Sequence, residues 1–445
     1  MNVRSPLRLI SLGLVVTGGA LYACGGGSGD GAVADLEAGT RDEASITPPG
    51  DGDGGPTDAS QGDSGDSGAP LTPVGGACAK DDGCASGGCD YTKHCAAARS
   101  CTQHNGGDTC GPTGTDSCCT TIPVPKPAAA YRLDRYNITA GRFRVFVEKT
   151  KGDIRGYIQK NRPAWFEPSW DAWIPSKLDD GTVQTGLPHL YTAGTGQDGV
   201  YQQLGPIHYG AAEQGGNEGC LTKQVGNSRT FRLPDDVNTT LFDDVQQYPQ
   251  DILDQKPQQC VTFFMVAAFC AWDGGRLPTL DELDYAWDKG QPAKYTYPWG
   301  TTPVPGGWDS PYPFDPTGQG FGTPMPATSD MKRANYRFNF WMPSTIQCIG
   351  DDPQKCDYSV YIAPPGRFPA GNGPFGHSDL VGNVYDVALP MDGTPGTDPA
   401  ARNVGLNRTG AFDGHAIPNQ HPIGGFRKWR STNKYLAVGG RCARD

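Results

Sequence analysis

Apolar positions are spread unevenly along the 445 residues. From Leu9 to Ala20 they run almost unbroken behind Arg4 and Arg8, between 25 and 75 they nearly vanish, and from about 128 they recur with a definite period. Tyr131 to Tyr136 alternates as a strand does, and within Thr139 to Lys149 the residues Phe143, Val145, Phe146 and Val147 fall at helical spacing. Phe263 to Trp272 predicts a second helix. A third is predicted to begin at Thr279. There Thr279-Leu280-Asp281-Glu282 follows Pro278 as a Thr-x-x-Glu capping box, whose threonine oxygen satisfies a free N–H of the first turn. The rest is rich in Gly and Pro with scattered Trp and Tyr, which predicts long ordered loops joining short elements.

The first apolar run falls short of the roughly 20 residues that span a bilayer. Its basic start and small residue before the break make residues 1–24 a signal peptide. Leu21-Tyr22-Ala23-Cys24 resembles a bacterial lipobox, in which the cysteine becomes the acylated first residue; the alternative is ordinary secretion with Cys24 trimmed away. The lipid reading implies an exported protein of the cell envelope, attached to the membrane by a lipid anchor on Cys24. Gly25 after it, rather than Asp, points to an outer membrane in a host that has one. Residues 25–75 are Gly, Asp, Ser, Pro and Thr, too polar to offset the entropy of ordering, and form a self-repelling tether. With ten acids against the single base Arg41, this tether contributes −9 to the chain's formal net charge of −11. The remainder shows no basic stripe, which argues against nucleic acid as a partner. Gly62-Asp63-Ser64-Gly65 spells a protease nucleophile loop, but inside this tether. Gly371-x-Gly373-x-x-Gly376 spells a dinucleotide fingerprint, but with Pro374 inside it and no strand-turn-helix around it.

Fifteen cysteines in an exported chain point to disulfides. Cys78, Cys84, Cys89, Cys95, Cys101, Cys110, Cys118 and Cys119 crowd into a module at 76–120 that has few apolar residues to hold it together. Zinc is the weaker reading, because the spacings lack the tight paired knuckles of zinc sites. Connectivity is not legible from spacing.

From 128 to 445 the blocks become specific. Tyr131-Arg-Leu-Asp-Arg-Tyr-Asn-Ile-Thr139 is followed by Phe269-Cys-Ala-Trp-Asp-Gly-Gly-Arg-Leu-Pro-Thr279, Tyr297-Pro-Trp-Gly300, Leu380-Val-Gly-Asn-Val-Tyr-Asp386 and Gly439-Gly-Arg-Cys-Ala-Arg-Asp445. In this order they resemble the formylglycine-generating-enzyme, or sulfatase-modifying factor, family. That resemblance implies a C-type-lectin-like α+β fold with little regular structure. It also implies structural calcium, which takes oxygen ligands. One site maps to Asp379, Gly382, Val384 and Asp386, with Asp386 standing where the family has a longer Glu. A second maps to Asn335, Tyr336, Asp357 and Ser359. The ordinary alternative is that these acids cap turns or face solvent.

The family's oxidase holds copper(I) on two closely spaced cysteines near the C-terminus, soft thiolates being what that ion prefers. The corresponding stretch here, 424–440, has no cysteine, so copper is not expected. Cys442 belongs to the closing block, where the family uses its cysteine for a structural bridge; Cys260 or Cys220 is the expected partner. Cys348 and Cys356 are expected to pair locally. Iron-dependent relatives use a His triad on a separate helical domain, and the seven histidines here are dispersed. His415 and His421 lie in a loop flanking the family's substrate groove, where solvent exposure is the ordinary explanation. Three functions remain open: a non-catalytic, calcium-braced module binding a peptide, glycan or protein; an enzyme with a non-standard site; and a structural envelope protein.

Overall fold

The computed structural model describes residues 70–127, 129–179, 198–204, 208–209, 221–222, 226–227, 230–231, 250–301, 333, 362–399, 402–407, 428–432, 434 and 438–445. The chain divides into two compact units, Met1–Ser67 and Gly68–Asp445. The first lies outside the described residues.

The helices are α1 (Ala140–Lys149), α2 (Ile154–Asn161), α3 (Val200–Leu204), α4 (Gln250–Asp254), α5 (Phe263–Trp272) and α6 (Leu280–Asp288). The strands are β1 (Thr121–Val124), β2 (Tyr131–Asp134), β3 (His208–Tyr209), β4 (Leu221–Thr222), β5 (Gly226–Asn227), β6 (Tyr385–Ala388), β7 (Asn403–Leu406), β8 (Lys428–Arg430), β9 (Val438–Gly439) and β10 (Ala443–Arg444). Among the described residues, three small sheets run in the orders β1-β2-β10, β3-β4-β5 and β8-β7-β6-β9. This is the mixed α+β arrangement of short elements and long loops that the sequence implied. Among the described residues, no helix is long and apolar enough to cross a membrane.

Three helices start on threonine. The hydroxyl of Thr139 accepts from Arg142 N (3.2 Å), that of Thr262 from Met265 N (3.3 Å) and that of Thr279 from Glu282 N (3.1 Å). Glu282 reaches back to Thr279 N at 2.8 Å, completing the capping box. Each such cap supplies about 1 kcal/mol by satisfying a donor the helix cannot. Helix α5 is apolar on every side and buried almost throughout, so it forms the axis of the core rather than a surface helix. Phe143 of α1 stacks on Phe269 of α5 with ring centroids 5.6 Å apart, and Phe146 meets the same ring edge-on. Trp170 packs edge-on against Phe263 from the far side.

The C-terminus returns to this core. Ala443 of β10 pairs with Leu133 of β2, so the last residues close the sheet that the first strand of the large domain opens. Beside them Cys442 bonds Cys270 on α5, with Cα atoms 5.5 Å apart. This corrects the expected partner, Cys260 or Cys220. The exchange of backbone hydrogen bonds between Arg276 and Ala443 carries Cys442 onto the end of α5, and Cys260 is engaged in a disulfide of its own.

The Cys-rich segment is held by four disulfides, Cys78–Cys89, Cys84–Cys95, Cys101–Cys119 and Cys110–Cys118. It is not held by them alone, because it lies in the same compact unit as the large domain. Arg99 donates to Tyr157 Oη of α2 and to Trp272 O of α5, and Thr139 donates its hydroxyl to Gly106 O. Gly106 has φ +79° and sits against Asp254 O and Gly141, so a side chain there would collide with backbone.

Candidate functional site: a buried polar seam

The loop 379–384 ahead of β6 takes an irregular path. Asp379 (φ +52°), Gly382 (+79°) and Asn383 (+63°) all occupy the left-handed region within five positions. Asparagine tolerates that conformation when its amide bonds locally. Here Asn383 grips both backbone groups of Ala363, accepting from its N–H at 3.0 Å and donating to its carbonyl at 2.9 Å. Asp379 Oδ2 accepts from Gly366 N at 2.7 Å. Together these contacts fasten the loop to the segment 363–366.

Two carboxylates are thereby buried close together, Asp379 and Asp386. Their treatment differs. Asp386 Oδ1 accepts from Asn137 Nδ2 at 2.9 Å and Oδ2 from Arg441 Nε at 2.7 Å, with both partners fully buried. The remaining N–H groups of Arg441 go to Ser378 O (3.0 Å), Asp379 O (3.1 Å), Arg135 O (3.3 Å) and Asp134 O (3.4 Å). One guanidinium thus joins the closing block, the loop and the start of the large domain. Burial pushes the Asp386 carboxyl up, opposed by the charge and hydrogen bond of Arg441. Burial pushes Asp379 up to about 6, opposed by the Gly366 N–H and the charge of Arg441.

His377 is two residues upstream and fully buried, with the backbone of Leu133 beside its ring. Burial, aided by the nearby charge of Arg441, pushes its imidazole down to about 3.

Next to this seam lies a second buried ionic group. Arg142 of α1 donates to Asp273 at 2.9 Å and Asp134 at 3.3 Å, and Arg444 pairs with both of those acids from the other side. Arg142 also donates to Ser100 Oγ (2.8 Å) and Cys118 O (3.0 Å). Ser100 N donates to Asp273 Oδ1 at 2.9 Å, which draws the Cys-rich segment into the same network. Two arginines face two aspartates, so the buried charge balances, as burial requires.

For a hard cation, the residues present fit unequally. Asp379 offers a buried carboxylate with Gly366 as its hydrogen-bond donor, in a loop with three left-handed residues. Asp386 is already spent on Asn137 and Arg441, and its side chain is one methylene shorter than the family's Glu. For copper(I), the residues do not fit. Residues 424–440 lack cysteine, Ser431 Oγ is given to Pro399 O and Lys434 Nζ to Gln203 O, both at 2.6 Å. Cys442 is in its disulfide, and an oxidised sulfur is no longer a thiolate. The same reasoning removes zinc from the Cys-rich segment. The sulfurs of Cys78, Cys84 and Cys95 lie within 4.8 Å of one another, but all three are in disulfides.

Asn335, Tyr336, Asp357 and Ser359 lie outside the described residues, as do Cys24, Cys348, Cys356, His415 and His421. Sequence reasoning missed Arg441, Asn137 and the Arg142–Asp134–Arg444–Asp273 group. A signal was present. Arg142 interrupts an otherwise apolar helical face, and an arginine inside a core pattern calls for buried carboxylates.

Residues 123–394 match the Sulfatase-modifying factor enzyme 1-like domain, and the chain belongs to that family. Over 172 residues it is 40% identical to the hercynine oxygenase of Mycolicibacterium thermoresistibile, a match covering 38% of this chain and 28% of that protein. It is 27% identical to the hercynine oxygenase of Mycolicibacterium smegmatis, also over 172 residues, covering 38% and 29%. The aligned stretch thus spans less than a third of these relatives. The structure of PvdO from Pseudomonas aeruginosa is similar over 73% of this chain and 90% of its own, at 16% identity and a TM-score of 0.33.

Proposed function

We propose that this chain is a member of the sulfatase-modifying factor family without formylglycine-generating activity, acting as a rigid binding module at the cell envelope. Its ligand class is a peptide, glycan or protein held in the groove where relatives do chemistry. The observation that carries this reading is the fate of sulfur near the C-terminus. Residues 424–440 contain no cysteine, and Cys442 is committed to Cys270. Formylglycine generation on copper(I) needs thiolates, and a cystine supplies none. Incubation of copper-loaded protein with a Cys-x-Pro-x-Arg peptide is expected to yield no aldehyde above a no-enzyme control. Clear turnover would overturn the proposal.

In the same reading, calcium braces the Asp379 loop through the Asp379 carboxylate and the Gly382 and Val384 carbonyls. Asp386 serves there mainly as the anchor of Arg441. Asn335, Tyr336, Asp357 and Ser359 stand as the second calcium set, and a lipid on Cys24 as the membrane attachment.

A second reading is favoured by the 40% identity to a hercynine oxygenase over 172 residues. It is an oxidoreductase working from a different site. Oxygen uptake dependent on added hercynine would favour it, and none is expected on the first reading.

A further inference from the structure

Two crosslinked loops of the Cys-rich segment meet at a cluster of side chains that neither the buried seam nor the family accounts for. Tyr91 sits in the tight loop between Cys89 and Cys95, which bridge antiparallel to each other. Asp90 Oδ1 fixes that loop by accepting from Thr92 N at 2.9 Å, Thr92 Oγ1 at 2.7 Å and His94 N at 2.9 Å. His104 and Asp108 sit in the loop between Cys101 and Cys110, whose sulfurs are bonded to Cys119 and Cys118. The disulfides therefore set the positions of both loops.

Their functional groups converge on one atom. Tyr91 Oη donates to Asp108 Oδ2 at 2.5 Å, and His104 Nδ1 lies 2.8 Å from the same oxygen. The Tyr91 and His104 rings are 5.1 Å apart. The other carboxylate oxygen, Asp108 Oδ1, is buried with no hydrogen-bond partner among the described residues, and Oδ2 is the atom that meets the ring groups. Tyr91 is 52% exposed and the His104 side chain 65% exposed, which leaves the cluster open to ions from solvent. Asp90 adds a second negative charge near the phenol.

A phenol oxygen, an imidazole nitrogen and a carboxylate oxygen at such spacing make a compact donor set. Oxygen and imidazole donors without thiolate select a hard to borderline transition ion. An anionic phenolate and carboxylate together favour the more highly charged one.

We propose that Tyr91, His104 and Asp108 form a binding site for ferric iron on the surface of the Cys-rich segment. Binding replaces the two hydrogen bonds to Asp108 with bonds to the metal. The phenolic proton passes to solvent, His104 binds as the neutral ring with its proton on Nε2 (an imidazolium first releasing its second proton to solvent), and the iron stays ferric throughout. Water or a small chelating anion completes its coordination. Because the crosslinks already hold the three donors together, little ordering remains to be done on binding.

The test uses the full-length protein, stripped of metal and titrated with ferric nitrilotriacetate. A phenolate-to-iron charge-transfer absorption is expected, saturating at one iron per chain and absent in Tyr91→Phe. That variant keeps the ring against His104, so its circular dichroism is expected to match the wild type. Asp108→Asn is expected to weaken the band as well. No band beyond that of the iron chelate alone would overturn the site, as would an undiminished band in Tyr91→Phe.

Discussion

Asp379 in the loop and Asp386 in β6 are separated by seven positions, yet burial gives them different work. Asp386 has its oxygens filled by Asn137 and Arg441, whereas Asp379 has Gly366 as its donor. Their substitutions are therefore predicted to differ in kind. Chelation is expected to lower the melting temperature of the wild type, since a ligand bound only by the native state stabilises it by mass action. Asp379→Asn is expected to lose most of that response. Asp386→Asn is expected to lower stability by about 3–5 kcal/mol with or without calcium, because it leaves the Arg441 guanidinium buried without its counter-charge. A wild-type melt unmoved by chelator would sink the calcium assignment. The positions of these acids were legible from the block Leu380-Val-Gly-Asn-Val-Tyr-Asp386, which Asp379 immediately precedes and Asp386 closes. The arginine that claims Asp386 was not, because it lies 55 residues further along the chain.

At the scale of elements, local signals were sufficient wherever the stabilising contact is itself local. The box at Thr279 and Glu282 spans four residues and is seen as expected, and Phe263–Trp272 is the helix its apolar run implied. How elements lock to one another depends on charges far apart in sequence. Arg142 on α1 joins β2 through Asp134, the end of α5 through Asp273 and the Cys-rich segment through Ser100 and Cys118. Arg142→Met, of similar length but uncharged, is predicted to destabilise the fold by about 3–5 kcal/mol and to expose residues 76–120 to protease. Urea denaturation measures the first effect and limited digestion the second. A loss below about 1 kcal/mol, typical of an exposed pair, would show that this ionic group is dispensable.

At the scale of the molecule, the chain reads as a module of residues 68–445 behind an acidic, Gly-rich stretch and the Leu-x-Ala-Cys24 motif. If Cys24 is the acylated residue, an alkyne fatty acid fed to cells will tag the wild type and spare Cys24→Ala; equal tagging of both would refute the anchor. The crosslinking of the Cys-rich segment, the capped helices and the family blocks were determined by the sequence, because each depends on neighbours or on composition. The tertiary structure decided what distance along the chain conceals. It paired Cys442 with Cys270 across 172 residues, gave Arg441 to Asp386, and joined the Cys-rich segment to the large domain in one compact unit. It also brought Tyr91 to His104 and Asp108. The physical reason is common to the first three. A buried charge or sulfur takes whichever partner the packed core delivers, and the order of residues along the chain does not encode that choice.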